Sequence, residues 1–109
     1  MASANPLNAI ALIRRDLPTP DIDLPELAGR HGYRLVYTVV TDAGAVVTTL
    51  ALVRHTEEWN ARAVVVPGLE HAYIVRQVIT HFAALVTPTR LYPCGHRWPA
   101  DTLRCEPTK

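Results

Sequence analysis

Apolar positions along this chain fall into short continuous runs that alternate with segments of helical spacing. Short runs rich in β-branched and aromatic residues predict four strands, at Asn8–Arg14, Tyr33–Thr41, Arg62–Val66 and Leu85–Val86. Apolar residues three or four apart predict three helices, at Leu24–Arg30, residues 45–59 and Glu70–Ala84. Alternating strands and helices of this length are typical of a parallel sheet with right-handed connections.

Local signals fix some of these boundaries better than others. Asp23 is a good N-cap for the first helix, and Pro25 suits its first turn. Residues 45–59 are ambiguous, because Val46, Leu50 and Val53 follow helical spacing while the run from Val46 to Thr49 is β-branched and favours a strand. We predict a helix there, and its first turn is where the β-branched run competes for a strand.

The expected fold is a small three-layer α/β domain over residues 1–88, with a mainly parallel four-stranded sheet in the order 2-1-3-4. Residues 89–109 have no sustained period and are expected to form an irregular tail that packs on the domain or trails from it. In this order the carboxyl ends of strands one and three are adjacent, which is where α/β proteins place their ligands. The candidate site residues at that edge are Arg14, Arg15, Asp16, Glu70 and His71.

Composition limits the function. A chain of 109 residues makes one domain, and a formal net charge of +1 gives no electrostatic case for binding nucleic acid or acidic lipid. No apolar run approaches the ~20 residues that a membrane span needs. The start of the chain has no cationic residue before its short apolar stretch, which is atypical of a signal peptide. We therefore expect a cytoplasmic protein with neither membrane nor nucleic acid as its partner.

Motifs for cofactors and metals are weak or missing. The glycines are scattered, and Ser3 is the only serine, so phosphate loops and serine-hydrolase motifs are absent. Cys94, His96 and Cys105 are chemically suited to zinc, but the paired ligand spacing and a fourth ligand are missing. Free thiols are the favoured interpretation. No cofactor or metal is predicted.

Three stretches carry a resemblance to a known family. They are LIRRD at 12–16, HGYRLVYTVVTD at 31–42 and AVVVPGLEHAYIV at 63–75. In order and pattern these resemble the first three strand regions of the catalytic domain of serine recombinases, the resolvase and invertase group. The resemblance covers roughly residues 8–87 and implies a resolvase-like α/β fold.

The family's chemistry does not carry over with its pattern. Arg14 matches the family's first arginine, whereas Asp16 stands where the nucleophilic serine would be. Glu70 replaces an aspartate, and His71 and Ile74 replace two arginines. Phosphoryl transfer needs a nucleophile and cationic donors for the phosphate oxygens. The resemblance therefore implies an interaction or regulatory module with a degenerate site, and we expect it to lack the family's helix-turn-helix domain.

Other interpretations stay open. The alternative is a small flavodoxin-like enzyme or binding protein that holds an anionic ligand with Arg14, Arg15, Glu70 and His71. A third hypothesis, a DNA accessory protein, conflicts with the near-neutral charge. Structural roles are also possible: the arginines would end a strand and contact the loop of Asp21 and Asp23.

Apolar residues surround much of the helix at 45–59, which predicts a two-fold homodimer. A different protein partner stays unidentified.

Overall fold

A computed structural model describes residues 7–98, and their secondary structure follows the predicted alternation of strands and helices. The strands are β1 Leu7–Arg14, β2 Tyr33–Thr41, β3 Ala61–Val65, β4 Ala84–Val86 and β5 Leu91–Tyr92. The helices are α1 Leu24–Arg30, α2 Ala45–Trp59 and α3 Arg76–Phe82. Two 3₁₀ turns, Leu69–His71 and Tyr73–Val75, precede α3.

The sheet has five strands in the order β2-β1-β3-β4-β5. The first four are parallel, which confirms the predicted order, and β5 is antiparallel to β4. The fifth strand was not predicted because two residues, Leu91 and Tyr92, are too few to show a period. It lies within the segment that was expected to be irregular.

Helices cover both faces of the sheet and give three layers. On one face, α1 buries Leu24, Leu27 and Ala28 against the sheet. On the other face, Leu52 of α2 and Ile79 of α3 join a second apolar cluster. The inner strands are buried on both sides, as is usual for parallel sheets.

The capping prediction for α1 and the helix prediction for residues 45–59 are both confirmed. The Asp23 carboxylate accepts a hydrogen bond from the Glu26 N–H at 3.0 Å. In α2, the buried side chains are four residues apart, at Thr48, Leu52 and Thr56. Packing of this helical face against the sheet outweighs the strand preference of the β-branched residues 46–49. The helix ends at Trp59 and is capped by Asn60, whose φ of 50° lies in the left-handed region.

The continuous helix expected from Glu70 to Ala84 is wrong. Ala72 and Val75 have φ near −117° and ψ near 0°, which interrupts the helix twice before α3 begins. The physical reason is His71, whose ring is fully buried and hydrogen-bonded to the end of β1. No helix within residues 7–98 is long and apolar enough to cross a membrane.

Candidate functional site at the end of β1

His71 is the centre of the junction between β1 and the first 3₁₀ turn. Its Nδ1 accepts a hydrogen bond from the Arg14 backbone N–H at 3.0 Å. Its Nε2 lies 3.0 Å from the Pro18 carbonyl oxygen. Because Nδ1 is the acceptor, the ring proton sits on Nε2, which donates to Pro18. The imidazole therefore ties together β1, the loop after β1 and the 3₁₀ turn.

The Arg14 guanidinium is held by protein groups on two sides. Its Nε and Nη2 donate to the two carboxylate oxygens of Asp16, at 3.1 and 3.3 Å. Its Nη1 donates to the Ala43 carbonyl at 2.8 Å, which attaches β1 to the turn before α2. Only 8% of the residue is exposed. The expected contact with the loop of Asp21 and Asp23 is replaced by these partners.

Asp16 is the negative partner of this pair. The hydrogen bond from the Arg14 side chain holds the pKa of Asp16 below its usual value, although partial desolvation acts in the opposite direction. Its side chain is half exposed. An ionised carboxylate therefore occupies the position at which the resemblance would place a nucleophilic serine.

Arg15 and Glu70 lie on the surface and have separate neighbours. Arg15 pairs with Asp42 at 3.4 Å, and both side chains are exposed. The Glu70 carboxylate folds over Gly68, where an added Cβ would lie 2.6 Å from the nearer carboxylate oxygen. Within residues 7–98, no hydrogen bond or ion pair joins Arg15 or Glu70 to His71. The four predicted ligand-binding residues thus split into a buried pair and two surface side chains.

Ile74 lines an apolar groove between α2 and α3. This α2–α3 groove has a volume of about 320 Å³ and is lined by Ala45, Val46, Thr49, Leu50, Ile74 and Val78. Ile74 and Val78 would share one apolar stripe of the helix expected from Glu70 to Ala84, but the interrupted helix turns both side chains towards solvent. Val46, Leu50 and Ile74 are 73%, 64% and 57% exposed.

The three zinc candidates do not form a site in the described part of the chain. Cys94 is an exposed free thiol. His96 packs among aromatic rings, 4.7 Å from the Trp98 ring and 5.1 Å from the Tyr92 ring. Cys105 lies outside the described residues. Between residues 7 and 98, no group of three or more His, Cys, Asp or Glu side chains could hold a metal ion.

No protein-family model, curated protein or solved structure matches this chain. Its function must therefore be inferred from the side chains themselves.

Replacing His71 with phenylalanine should destabilise the protein. Phenylalanine keeps the ring but leaves the buried Arg14 N–H without an acceptor, which costs about 1–3 kcal/mol. Urea denaturation measures the change, and the Arg14 amide should exchange with solvent faster. The matched control is His81→Phe on the exposed surface of α3, which should change stability by less than about 0.5 kcal/mol. Equal effects from both substitutions would contradict this role for His71.

The Arg14–Asp16 pair should show a defined pH dependence. The pKa of Asp16 is lower in the folded protein than in the unfolded chain. Asp16 therefore adds stability above its unfolded pKa, and this contribution disappears as the pH falls through its folded pKa. Arg14→Gln should raise the pKa of Asp16 in an NMR titration. Arg15→Gln should leave it unchanged, because Arg15 pairs with Asp42. An unaltered Asp16 pKa in Arg14→Gln would refute the assignment.

Proposed function

We propose that this protein is a catalytically inactive interaction module of resolvase-like architecture that acts as a homodimer. The observation that carries the proposal is the use of Arg14 and His71 within the protein. The Arg14 guanidinium bonds Asp16 and Ala43, and both His71 ring nitrogens have protein partners. Side chains that hold the fold together in this way are not available to a substrate.

Electrostatics at the same edge supports this proposal. A phosphate or another anion would have to displace the Asp16 carboxylate from Arg14, and Asp16 would repel it. Neutral His71 offers one N–H, and that N–H faces Pro18. Removing a single donor for a developing negative charge already lowers a rate by about 10²–10³. A catalytic phosphoryl transfer at this edge would lack both its nucleophile and its cationic donors.

The purified protein should neither relax nor nick supercoiled plasmid DNA. Asp16→Ser alone should also be inactive, because the missing cationic donors are not restored by a hydroxyl. A nucleophile acting with its partners accounts for a factor on the order of 10⁶ in rate. The measurement is plasmid relaxation combined with a search for a covalent protein–DNA adduct. An adduct with the wild-type protein would refute the inactive module.

The proposed interaction surface is the α2–α3 groove, and the proposed occupant is a second copy of the chain. The groove is lined without a charged side chain, so a partner surface of the same apolar character fits it. Val46 and Leu50 form a ridge on one side, and Ile74 and Val78 form the other. A two-fold axis can place the ridge of each copy into the groove of the other, which is an isologous contact.

Charge placement along α2 favours this antiparallel arrangement. A two-fold axis at the level of Thr48 would set Val46 of one copy opposite Leu50 of the second. The same register brings Arg54 towards Asp42, the acidic residue just before the helix, which would then interact with Arg54 of the second copy as well as with Arg15 of its own chain. Two apolar contacts and two opposite-charge contacts then arise from one register. This agreement supports self-association over binding of an unrelated partner.

Leu50→Glu should separate the dimer. Two symmetry-related carboxylates would enter the apolar contact, which should weaken association by roughly 100-fold. Analytical ultracentrifugation at micromolar concentration should show a dimer for the wild type and a monomer for Leu50→Glu. Leu7→Glu is the matched control, because Leu7 is 51% exposed on β1 and lies outside the groove.

The proposed contact between Arg54 of one copy and Asp42 of the other can be tested separately. Arg54→Asp should weaken the dimer, and combining it with Asp42→Arg should restore part of the loss. A wild-type protein that sediments as a monomer would refute self-association. A dimer that survives Leu50→Glu but not Leu7→Glu would place the interface elsewhere.

A further inference from the structure

A second surface lies along β5, the strand at one lateral edge of the sheet. Three aromatic rings cluster there: the Tyr92 and Trp98 centroids are 4.5 Å apart, and His96 packs edge-on against both. Arg90 and Arg97 flank the rings, and the Arg90 guanidinium carbon lies 5.3 Å from the Tyr92 centroid. These five residues line a pocket of about 440 Å³, which we call the Arg–aromatic pocket.

The backbone around the pocket is anchored. The turn from β4 to β5 is closed by Thr87, whose hydroxyl and N–H both donate to the Arg90 carbonyl, at 3.0 and 2.8 Å. The segment after β5 returns to α3 through Thr80, which is buried. The Thr80 carbonyl accepts from the Gly95 N–H, and its hydroxyl accepts from the Trp98 indole N–H at 2.9 Å. The backbone at Arg90 and the Trp98 ring are therefore held in place by bonds within the protein.

The local charge of this pocket differs from that of the rest of the chain. From residue 71 to residue 98 the sequence has three arginines and no aspartate or glutamate. Within residues 7–98, neither Arg90 nor Arg97 forms an ion pair, and both are exposed. The three rings are half-buried, so each keeps some surface open to solvent. Among the residues that the structure describes, these cationic side chains have no acidic partner, and they stand beside an open aromatic surface.

We propose that the Arg–aromatic pocket binds a nucleotide, with the base against the aromatic rings and the phosphate on Arg90 and Arg97. Aromatic side chains beside arginines bind nucleotides in this way without base-specific contacts, and each stacked base contributes to affinity. The pocket volume is in the range of small-molecule sites. The site is independent of the Arg14–His71 junction and of the α2–α3 groove.

A planar base and a phosphate together explain both halves of the pocket. An inorganic anion would use the arginines and leave the rings without a role. An apolar ligand would use the rings and leave two cations unpaired. The same nucleotide chemistry is offered by a free mononucleotide and by single-stranded nucleic acid, and the two sources differ in how many phosphates they present.

The test uses the fluorescence of Trp98 in the full chain. Trp59→Phe removes the other tryptophan, which stacks on Tyr37 at 6.1 Å and lies outside the pocket. The titrants are adenosine monophosphate, a single-stranded deoxyadenylate decamer and inorganic phosphate. We expect saturable quenching by the first two and a much weaker response to phosphate. A decamer that binds at least about tenfold tighter than the mononucleotide identifies single strands as the source; equal affinities identify the free nucleotide.

Variants separate binding from folding. Arg90→Gln and Arg97→Gln should each weaken binding by about fivefold or more, and Tyr92→Leu by a similar factor. Since Tyr92 also packs against the core, the two arginine variants decide the outcome if Tyr92→Leu does not fold. The control is Arg30→Gln on α1, which should bind like the parent. Phosphate binding as tight as mononucleotide binding, or no saturation below about 10 mM for either nucleotide probe, would overturn the proposal.

Discussion

The hydrogen bond from the Arg14 N–H to the His71 ring determines how the edge of this sheet is built. The last residue of β1 that pairs with β3 is Ala11, opposite Val65. β1 continues to Arg14 and pairs there only with β2. On its other side the Arg14 amide would be a buried donor without a partner, which proteins rarely tolerate. His71 supplies the acceptor that β3 no longer provides.

This bond also shapes the segment that follows β3. His71 must lie under the end of β1, so the chain turns inward as a 3₁₀ turn before α3 can start. The interruption rotates Ile74 and Val78 outward while Val75 and Ile79 stay buried. Ile74 and Val78 then form one side of the apolar α2–α3 groove. A continuous helix from Glu70 would have buried a different stripe.

The sequence predicted those parts of the fold that depend on local pattern. Apolar runs marked β1 to β4, and Asp23 marked the start of α1, because these signals act within a few residues. It did not predict that His71 would point inward, since the partner amide of Arg14 is 57 positions away. Residues 71–98 contain no aspartate or glutamate, and this was a sequence signal for the Arg–aromatic pocket. The net charge of the whole chain concealed that signal. The pocket residues in this stretch are Arg90, Tyr92, His96, Arg97 and Trp98.

Net charge conceals this asymmetry because it sums two regions of opposite sign. Residues 7–70 contain six arginines and eight carboxylates, whereas residues 71–98 contain three arginines and none. At physiological ionic strength the Debye length is about 8 Å. A ligand in the Arg–aromatic pocket therefore experiences mainly Arg90, Arg97 and Arg76, whose guanidinium carbon lies 5.3 Å from the Trp98 centroid. At longer range the near-neutral molecule exerts little attraction, and steering of a polyanion should be weak. Ring stacking and two arginine contacts must then supply the affinity, which predicts a shallower salt dependence than that of a protein with an extended basic surface.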